Sequence, residues 1–169
     1  MDTFRKVNEN FSEIFKDLFG GGKAELILVD EKNVLETGIE IIARPPGKKL
    51  QSISLLSGGE KAMTAIALLF SIMKVKPSPF CVLDEIDAPL DDGNIGRFVK
   101  LVKEFTKDSQ FVIVTHSKAT IATSDIIYGI TMEERGISKK IGVRFLGEGS
   151  SSGVTSAVKG TGKQKPSLK

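Results

Sequence analysis

The segment Phe80-Cys81-Val82-Leu83-Asp84-Glu85 consists of four apolar residues followed by two adjacent carboxylates. An apolar run of this length, preceded by Pro79 and ended by charge, is typical of a buried parallel strand. A helix is expected over about 92–106, and a second apolar run, Phe111–Val114, then ends in Thr115-His116. Strand, helix and strand in this order predict a βαβ unit with a right-handed crossover.

The flanking sequence predicts further helices and short strands. Apolar residues three and four positions apart predict an amphipathic helix over about 3–18, which ends at Gly20-Gly21-Gly22. The runs Ala24–Val29 and Thr37–Ala43 predict a β-hairpin. A helix that is apolar on almost all sides, and therefore buried, is expected from Glu60 to about Lys74. The sequence also predicts a short helix at 118–122 and strands at 126–132 and 141–146.

This 169-residue chain has 24 Lys and Arg and 21 Asp and Glu, and therefore a net charge of +3. The excess of positive charge lies in its tail. Residues 148–169 contain four Lys and one Glu, whereas residues 1–147 carry equal numbers of basic and acidic side chains. Composition therefore gives little support to a nucleic-acid-binding domain. Beyond residue 147 the sequence is rich in Gly, Ser, Thr and Lys without periodicity, and it predicts a disordered basic tail.

Two residue types that occur only once exclude several kinds of site. The single cysteine, Cys81, excludes an internal disulfide and a cysteine zinc cluster, and it fits a reducing cytosol. The single histidine, His116, excludes a histidine-rich metal site. No stretch of 18 apolar residues is present, and residues 1–5 lack the apolar core of a signal peptide. The sequence therefore predicts a cytoplasmic protein without a membrane partner.

Chemically capable side chains follow both predicted parallel strands. Asp84 and Glu85 end the first strand and His116 follows the second, at the sheet edge where open α/β folds bind ligands. Adjacent carboxylates can hold the water shell of a metal and polarise a nucleophilic water, but an exposed strand end would look the same. Ser57-Gly58-Gly59 before a helix offers a phosphate a hydroxyl and backbone N–H groups, or is an ordinary N-cap. His116 taken alone could equally be structural.

Taken in order, these motifs resemble those of ABC-type ATPases. Leu56–Lys61 is similar to the signature motif, Phe80–Glu85 to the Walker B strand, Ala88–Asp92 to the D-loop and Thr115-His116 to the switch histidine. Further segments narrow the resemblance to bacterial SMC (structural maintenance of chromosomes) proteins. These segments are Phe19–Gly22, Pro45–Gln51, Lys76–Phe80 and Tyr128–Glu134. The resemblance covers about residues 3–146.

The resemblance implies a role for each residue of these motifs. Asp84 would steady Mg²⁺ through its waters, Glu85 would be the general base, and His116 would hydrogen-bond the γ-phosphate. The signature residues Ser57, Gly58, Gly59 and Glu60 would contact ATP bound to a second head, and Leu90 and Asp91 of the D-loop would report across the dimer. The implied cofactors are ATP and Mg²⁺. These roles agree with a reaction that is catalysed by positioning and charge neutralisation.

One motif of such ATPases is absent from the sequence. A phosphate-binding (Walker A) loop reads G-x-x-x-x-G-K-[ST], and neither Gly22-Lys23 nor Gly162-Lys163 fits this pattern. The resemblance therefore implies an α/β fold of the P-loop NTPase type, restricted to the carboxy-terminal lobe of an SMC head. Its mixed sheet would contain the βαβ unit and lack the Walker A strand. We expect the apolar edge at Phe111–Val114 to be unpaired and the isolated lobe to be poorly soluble.

The resemblance also implies three parts in the chain: a helix continuing from a coiled coil (1–19), the ATPase lobe (20–147) and the tail (148–169). Together with an amino-terminal lobe, the chain would hydrolyse ATP between two engaged heads and drive chromosome condensation and segregation. Alone it should be inactive. The expected partners are that lobe, a second SMC head, a kleisin subunit and, with weaker support from Lys48, Lys49 and the tail, nucleoid DNA.

Other interpretations remain open at this point. Ser57, Asp84 and His116 follow the order of an α/β-hydrolase triad, but Leu55 stands where a nucleophile elbow requires glycine. An ABC transporter subunit or an SMC-like DNA-repair ATPase would share the core motifs, although Ala88–Asp92 favours a chromosome SMC protein. A catalytically inactive chain could still serve as a kleisin-binding fragment.

Overall fold

A computed structural model gives the structure of the chain and describes residues 1–30 and 32–144. They belong to two compact units, Met1–Thr120 and Ile121–Lys169, the second of which is described as far as Arg144. The tail predicted at 148–169, and the last two residues of the strand predicted at 141–146, lie outside the described residues.

The described residues form four α-helices, one 3₁₀ helix and seven strands. The helices are α1 (Asp2–Phe19), α2 (Gly58–Val75), α3 (Asp92–Phe105) and α4 (Lys118–Ile121), with a 3₁₀ helix at Ile53–Leu55. The strands are β1 (Lys23–Leu28), β2 (Ile39–Arg44), β3 (Gln51–Ser52), β4 (Phe80–Asp84), β5 (Gln110–Val114), β6 (Ile126–Glu134) and β7 (Ile137–Arg144). The sequence patterns did not predict β3 or the 3₁₀ helix.

The described strands form three separate sheets, and the single mixed sheet that the sequence predicted is not present among them. β1, β2 and β3 form one antiparallel sheet, and β6 and β7 form an antiparallel hairpin. β4 and β5 form a parallel pair with Cys81 opposite Phe111, and α3 connects them, so the predicted βαβ unit is confirmed. The periodicity of a strand identifies its faces, whereas its pairing depends on neighbours that are remote in sequence.

The core of the first unit lies between α1, α2 and the β4–β5 pair. α1 is amphipathic and buries the face that carries Phe11, Ile14, Phe15 and Leu18. α2 is buried over most of its length, as its sequence predicted, because apolar or small residues face the core on nearly every turn. Its buried residues are Met63, Thr64, Ile66, Ala67, Phe70, Ser71 and Met73.

Three glycines carry the chain from α1 into β1. Gly20 adopts a left-handed conformation (φ 68°), and its N–H donates to the carbonyl of Asp17, which ends the helix. Gly22 has φ 87°, and a Cβ at this position would lie 2.4 Å from the carbonyl oxygen of Arg44 at the end of β2. Position 22 requires a positive φ and the absence of a Cβ. Only glycine has both properties, because any other residue would strain the backbone and collide with β2.

The β4–β5 sheet is buried on one face only, which corrects the expectation of buried strands. Cys81, Leu83, Phe111 and Ile113 alternate along the strands and face the core. The opposite face is apolar but 48–62% exposed, and its side chains are Phe80, Val82, Val112 and Val114. A continuous apolar run indicates an environment that is apolar on both sides, yet in this chain helices cover only one.

The edge of β5 is open in the described part of the chain. β4 pairs with one side of β5, and no described strand pairs with the other side. This is the edge at which the sequence led us to expect an unpaired strand. An open apolar edge next to an exposed apolar face is a surface that favours association with another chain.

Candidate functional site

The carboxyl ends of β4 and β5 bring together two of the predicted catalytic side chains. Glu85 directly follows β4, and its backbone N–H donates to the carbonyl of Val114 at the end of β5, with a distance of 2.9 Å. His116 follows β5, and its Nε2 lies 3.2 Å from Oε1 of Glu85. Both side chains are exposed, His116 to 91% and Glu85 to 54%. The parallel pairing thus places an acid–base pair at a sheet edge open to a ligand.

Glu85 adopts a backbone conformation that glycine favours. Its φ is 49°, and no other described residue except glycine has a positive φ. In this region the Cβ of an ordinary residue lies too close to its following carbonyl oxygen. The strain is stored directly at the candidate site, and it turns the Glu85 side chain out of the β4 ladder towards His116.

We expect Glu85→Gly to stabilise the folded chain by about 1 kcal/mol relative to Glu85→Ala, because glycine tolerates this backbone conformation. Both variants lack the carboxylate, so their comparison isolates the backbone contribution. The measurement is the free energy of unfolding from urea denaturation at one protein concentration. Equal stabilities of the two variants would show that the backbone at position 85 is relaxed.

The N-terminus of α2 carries the other predicted motif, and it is held by a capping box. Ser57 is the N-cap: its Oγ accepts the N–H of Glu60 at 3.4 Å, and its own N–H donates to Oε2 of Glu60 at 3.0 Å. Gly58 and Gly59 form the first turn of α2, and a Cβ at Gly59 would lie 3.3 Å from the carbonyl oxygen of Pro89. The ordinary N-cap interpretation of Ser57 is therefore also correct, and it does not exclude a phosphate at the helix end.

Lys48 neutralises the acidic residue of this motif. Its Nζ lies 2.9 Å from both carboxylate oxygens of Glu60. The hydrogen bond from Lys48, followed by that from the backbone of Ser57, lowers the pKa of Glu60 below its ordinary value. The charge that would repel an incoming phosphate is thereby balanced within the chain.

The lowered pKa of Glu60 predicts a pH-dependent contribution to stability. A carboxylate whose pKa is lower in the folded state stabilises the fold above its unfolded pKa, about 4.3, and loses this effect as pH falls through the folded pKa. We expect Glu60→Gln to cost about 1 kcal/mol at neutral pH and progressively less below about pH 4. Urea denaturation across this range measures the difference, and Lys48→Gln should reduce it. A pH-independent difference between wild type and Glu60→Gln would contradict the assignment.

Leu90 and Asp91 lie where β4 leads into α3, and Asp91 has a structural function there. It is the N-cap of α3: Oδ1 accepts the backbone N–H of Asn94 and Oδ2 accepts its side-chain amide, both at 2.9 Å. Leu90 is buried in the core. The capping contact of Asp91 was not predicted from the sequence, although an Asp before a helical pattern is a known signal for it.

A cavity of about 560 Å³ lies beside the Glu85–His116 pair. The turn after β4 forms one wall with Glu85, Asp87 and Leu90, and the loop after β5 forms another with His116 and Ser117. Ser57–Glu60 are not among the residues that line it. The structure thus brings Glu85 and His116 together at the cavity, and the close approach of Gly59 to Pro89 places the α2 motif next to the turn that forms one of the cavity walls.

The described residues contain no group of three or more His, Cys, Asp or Glu side chains able to hold a metal ion. Asp84 is an exposed carboxylate at the end of β4. This arrangement fits Mg²⁺, which usually keeps several waters and binds through one or two carboxylates together with substrate phosphates.

None of the described helices is long and apolar enough to cross a membrane.

Comparison with known proteins identifies the family of the chain. The model of the family described as "RecF/RecN/SMC N terminal domain" matches residues 4–139. The chain belongs to the RecF/RecN/SMC family. It is 58% identical over 148 residues to a protein of Myxococcus xanthus (strain DK1622) named "Chromosome partition protein Smc". That alignment covers 88% of this chain and 12% of the relative, so the chain spans about an eighth of the relative's length.

Solved structures of SMC ATPase heads share the fold. One chain, from work on "ATP-driven dimerization and DNA stimulated activation of SMC ATPases", is 46% identical with a TM-score of 0.77, and the match covers 84% of this chain and 86% of that one. A Pyrococcus furiosus SMC head "with an extended coiled coil bound to the C-terminal domain of ScpA" is also 46% identical, with a TM-score of 0.79. That match covers 85% of this chain and 36% of the other. The family membership excludes the serine hydrolase interpretation.

The name of the family model refers to an amino-terminal domain, whereas the motif content led us to expect a carboxy-terminal lobe. The comparison therefore supports an SMC-type α/β ATPase head and gives no support to the assignment of the lobe.

Proposed function

We propose that this chain is the carboxy-terminal lobe of an SMC head, which hydrolyses ATP together with the lobe that carries the phosphate loop. The observation that carries the proposal is the Glu85–His116 pair, 3.2 Å apart at the carboxyl ends of two parallel strands. A carboxylate base beside an imidazole donor is the arrangement that activates and orients a water for attack on a phosphate.

Two observations favour the carboxy-terminal lobe. The sequence contains no G-x-x-x-x-G-K-[ST] motif, so the phosphate loop must come from another segment or chain. The open edge of β5 and the exposed apolar face of the β4–β5 sheet offer a surface that such a lobe would cover. Without this phosphate-loop lobe, the chain is expected to be inactive.

Each residue at the sheet edge then has a distinct chemical task. Glu85 accepts the proton of the attacking water or orients it, and His116 donates a hydrogen bond to the γ-phosphate. Asp84 would hold Mg²⁺ through water, and the ion would neutralise phosphate charge that develops during the reaction. The strained backbone of Glu85 fixes the direction of the base before the substrate arrives.

The N-terminus of α2 completes the proposal as the site for ATP held by a second head. The first-turn N–H groups at Gly58 and Gly59 lie at the end of the helix, where a phosphate binds favourably, and the Ser57 hydroxyl at this end donates to Oε2 of Glu60 at 2.9 Å. A similar solved chain comes from work on ATP-driven dimerisation of SMC ATPases.

The partners of the complete protein belong to the same proposal. They are a second SMC head and a kleisin subunit, since a similar SMC head was solved bound to the C-terminal domain of ScpA. DNA contact has weaker support, because its candidates among the described residues are Lys48 and Lys49, and Lys48 is paired with Glu60. Chromosome condensation and segregation, and association with the nucleoid, follow from these partners.

We expect Ser57→Arg to prevent ATP-dependent dimerisation of complete heads while each head still binds ATP. The arginine fills the space at the end of α2, whereas the phosphate loop lies on the other lobe. Light scattering with and without ATP measures the mass, and equilibrium dialysis measures ATP binding. Ser57→Ala is the matched control, because it removes the cap, worth about 1 kcal/mol, without adding bulk. Dimerisation of the Ser57→Arg head at wild-type ATP concentrations would contradict the proposal.

A further inference from the structure

Asp87 is the one strongly buried acidic side chain among the described residues, and it has no part in the mechanism above. It lies in the turn between β4 and α3, two residues after Glu85, and is 2% exposed. Its Oδ2 accepts two hydroxyl hydrogen bonds, from Thr115 at 2.7 Å and from Thr120 at 2.5 Å. A buried carboxylate is costly unless hydrogen bonds compensate for its lost hydration, so its environment must be closely built.

The two threonines belong to the loop that carries His116. Thr115 directly precedes His116, and Ser117 directly follows it. The Oγ1 of Thr115 also accepts the N–H of Ser117 at 2.9 Å. Thr120 lies in α4, and its N–H donates to Oγ of Ser117 at 3.3 Å. Both neighbours of His116 are therefore fixed by hydrogen bonds that lead to the Asp87 carboxylate, while the imidazole itself remains exposed.

The main chain of Asp87 fixes the other side of the cavity. Its carbonyl accepts the N–H of Leu90 at 3.1 Å, and the carbonyl of Glu85 accepts the N–H of Ala88 at 3.1 Å. These bonds fold the turn that begins at Glu85 and ends at Asp91, the N-cap of α3. Asp87 is thus the point at which this turn is joined to the loop of His116.

We propose that Asp87 is a positioning residue that makes the Glu85–Asp91 turn and the Thr115–Thr120 loop one hydrogen-bonded unit. The proposal rests on the proposed ATPase function, in which Asp91 lies next to the opposite head and His116 contacts the γ-phosphate. A displacement of the turn on head engagement then carries His116 with it, which links dimerisation to the geometry of the catalytic site. The cost of burying a carboxylate here is offset by a fixed geometry that an apolar side chain would not provide.

The test uses the complete head, formed by co-expressing this chain with the phosphate-loop lobe. Thr115→Val removes the link from Asp87 to His116 through Thr115, keeps the side-chain volume and leaves the link through Thr120 in place, and we expect it to lower kcat about tenfold without changing ATP affinity. Thr115→Ser keeps the hydroxyl and should retain the wild-type rate. Asp87→Ala should lower kcat at least as much, and Asp87→Ala with Thr115→Val should be no worse than Asp87→Ala alone. Asp108→Asn, which removes an exposed carboxylate from the turn between α3 and β5, is the control for charge.

A second readout does not require turnover. Hydrogen exchange of the Ser117 amide in the nucleotide-free head should accelerate in Thr115→Val and Asp87→Ala, and it should stay unchanged in Thr115→Ser and Asp108→Asn. Wild-type kcat in Thr115→Val, or wild-type Ser117 exchange in Asp87→Ala, would overturn the positioning role. If turnover of the head did not depend on Glu85, the ATPase proposal would fail. The Ser117 exchange rate in Asp87→Ala would still test whether Asp87 holds the loop of His116.

Discussion

Glu85→Gln is expected to reduce ATP turnover by the complete head about 100-fold or more, because the amide cannot accept a proton from water. The substitution keeps the size of the side chain and leaves an amide oxygen that can still accept a hydrogen bond from His116, 3.2 Å away. Binding of ATP and engagement of the heads should therefore persist. Dimers that form with ATP should accumulate, because the step that releases them is blocked.

Phosphate release under saturating ATP measures the turnover, and light scattering after addition of ATP measures the lifetime of the dimer. Glu104→Gln provides the matched control, because Glu104 is an exposed glutamate on α3, remote from the cavity beside Glu85. It should leave both quantities unchanged. A Glu85→Gln head that hydrolyses ATP at the wild-type rate would show that another group is the base.

Gly22→Ala is expected to destabilise the fold by about 4 kcal/mol. Two costs combine at this position. The backbone (φ 87°) is unfavourable for alanine by about 1–2 kcal/mol. The added Cβ would also lie 2.4 Å from the carbonyl oxygen of Arg44 and 3.2 Å from Phe15, and overpacking of this kind costs about 1–3 kcal/mol.

Gly47→Ala separates these two costs. Gly47 has a similar backbone conformation (φ 75°), but no atom lies within 4 Å of the position that its Cβ would occupy. We therefore expect this variant to lose only about 1 kcal/mol. Urea denaturation of the two variants at the same protein concentration gives both values. If they proved equal, the close approach of β2 to Gly22 would not contribute to stability.

The local sequence predicted most helices and strands because each has a strong signal of its own. α1 ends at the three glycines, the apolar run of β4 lies between Pro79 and two carboxylates, and that of β5 has polar residues on both sides. β7 was predicted to start at Ile141, whereas it begins at Ile137, because Ser138 and the lysines that follow it give no apolar alternation. The single mixed sheet was wrong, since pairing depends on contacts that no window of sequence contains.

The sequence predicted those parts of the candidate site that belong to a recognisable motif. Parallel strands end at a common edge, so the meeting of Glu85 and His116 followed from the order of the elements. The left-handed backbone of Glu85 and the burial of Asp87 had no such signal, because both depend on the packing of the loop after β5. The pairing of Lys48 with Glu60 was also missed, since twelve residues separate them and Lys48 resembles a solvated loop residue.

The half-covered β4–β5 sheet makes the stability of this chain a matter of mass action. A phosphate-loop lobe that covers Phe80, Val82, Val112 and Val114, as proposed above, would bind the folded chain and not the unfolded one. The free energy of unfolding then rises by RT ln(1 + [L]/Kd), which is about 2.7 kcal/mol when the free lobe is at 100 times its Kd. The melting temperature of the chain should therefore rise as phosphate-loop lobe is added to it, until the exposed face of the sheet is saturated.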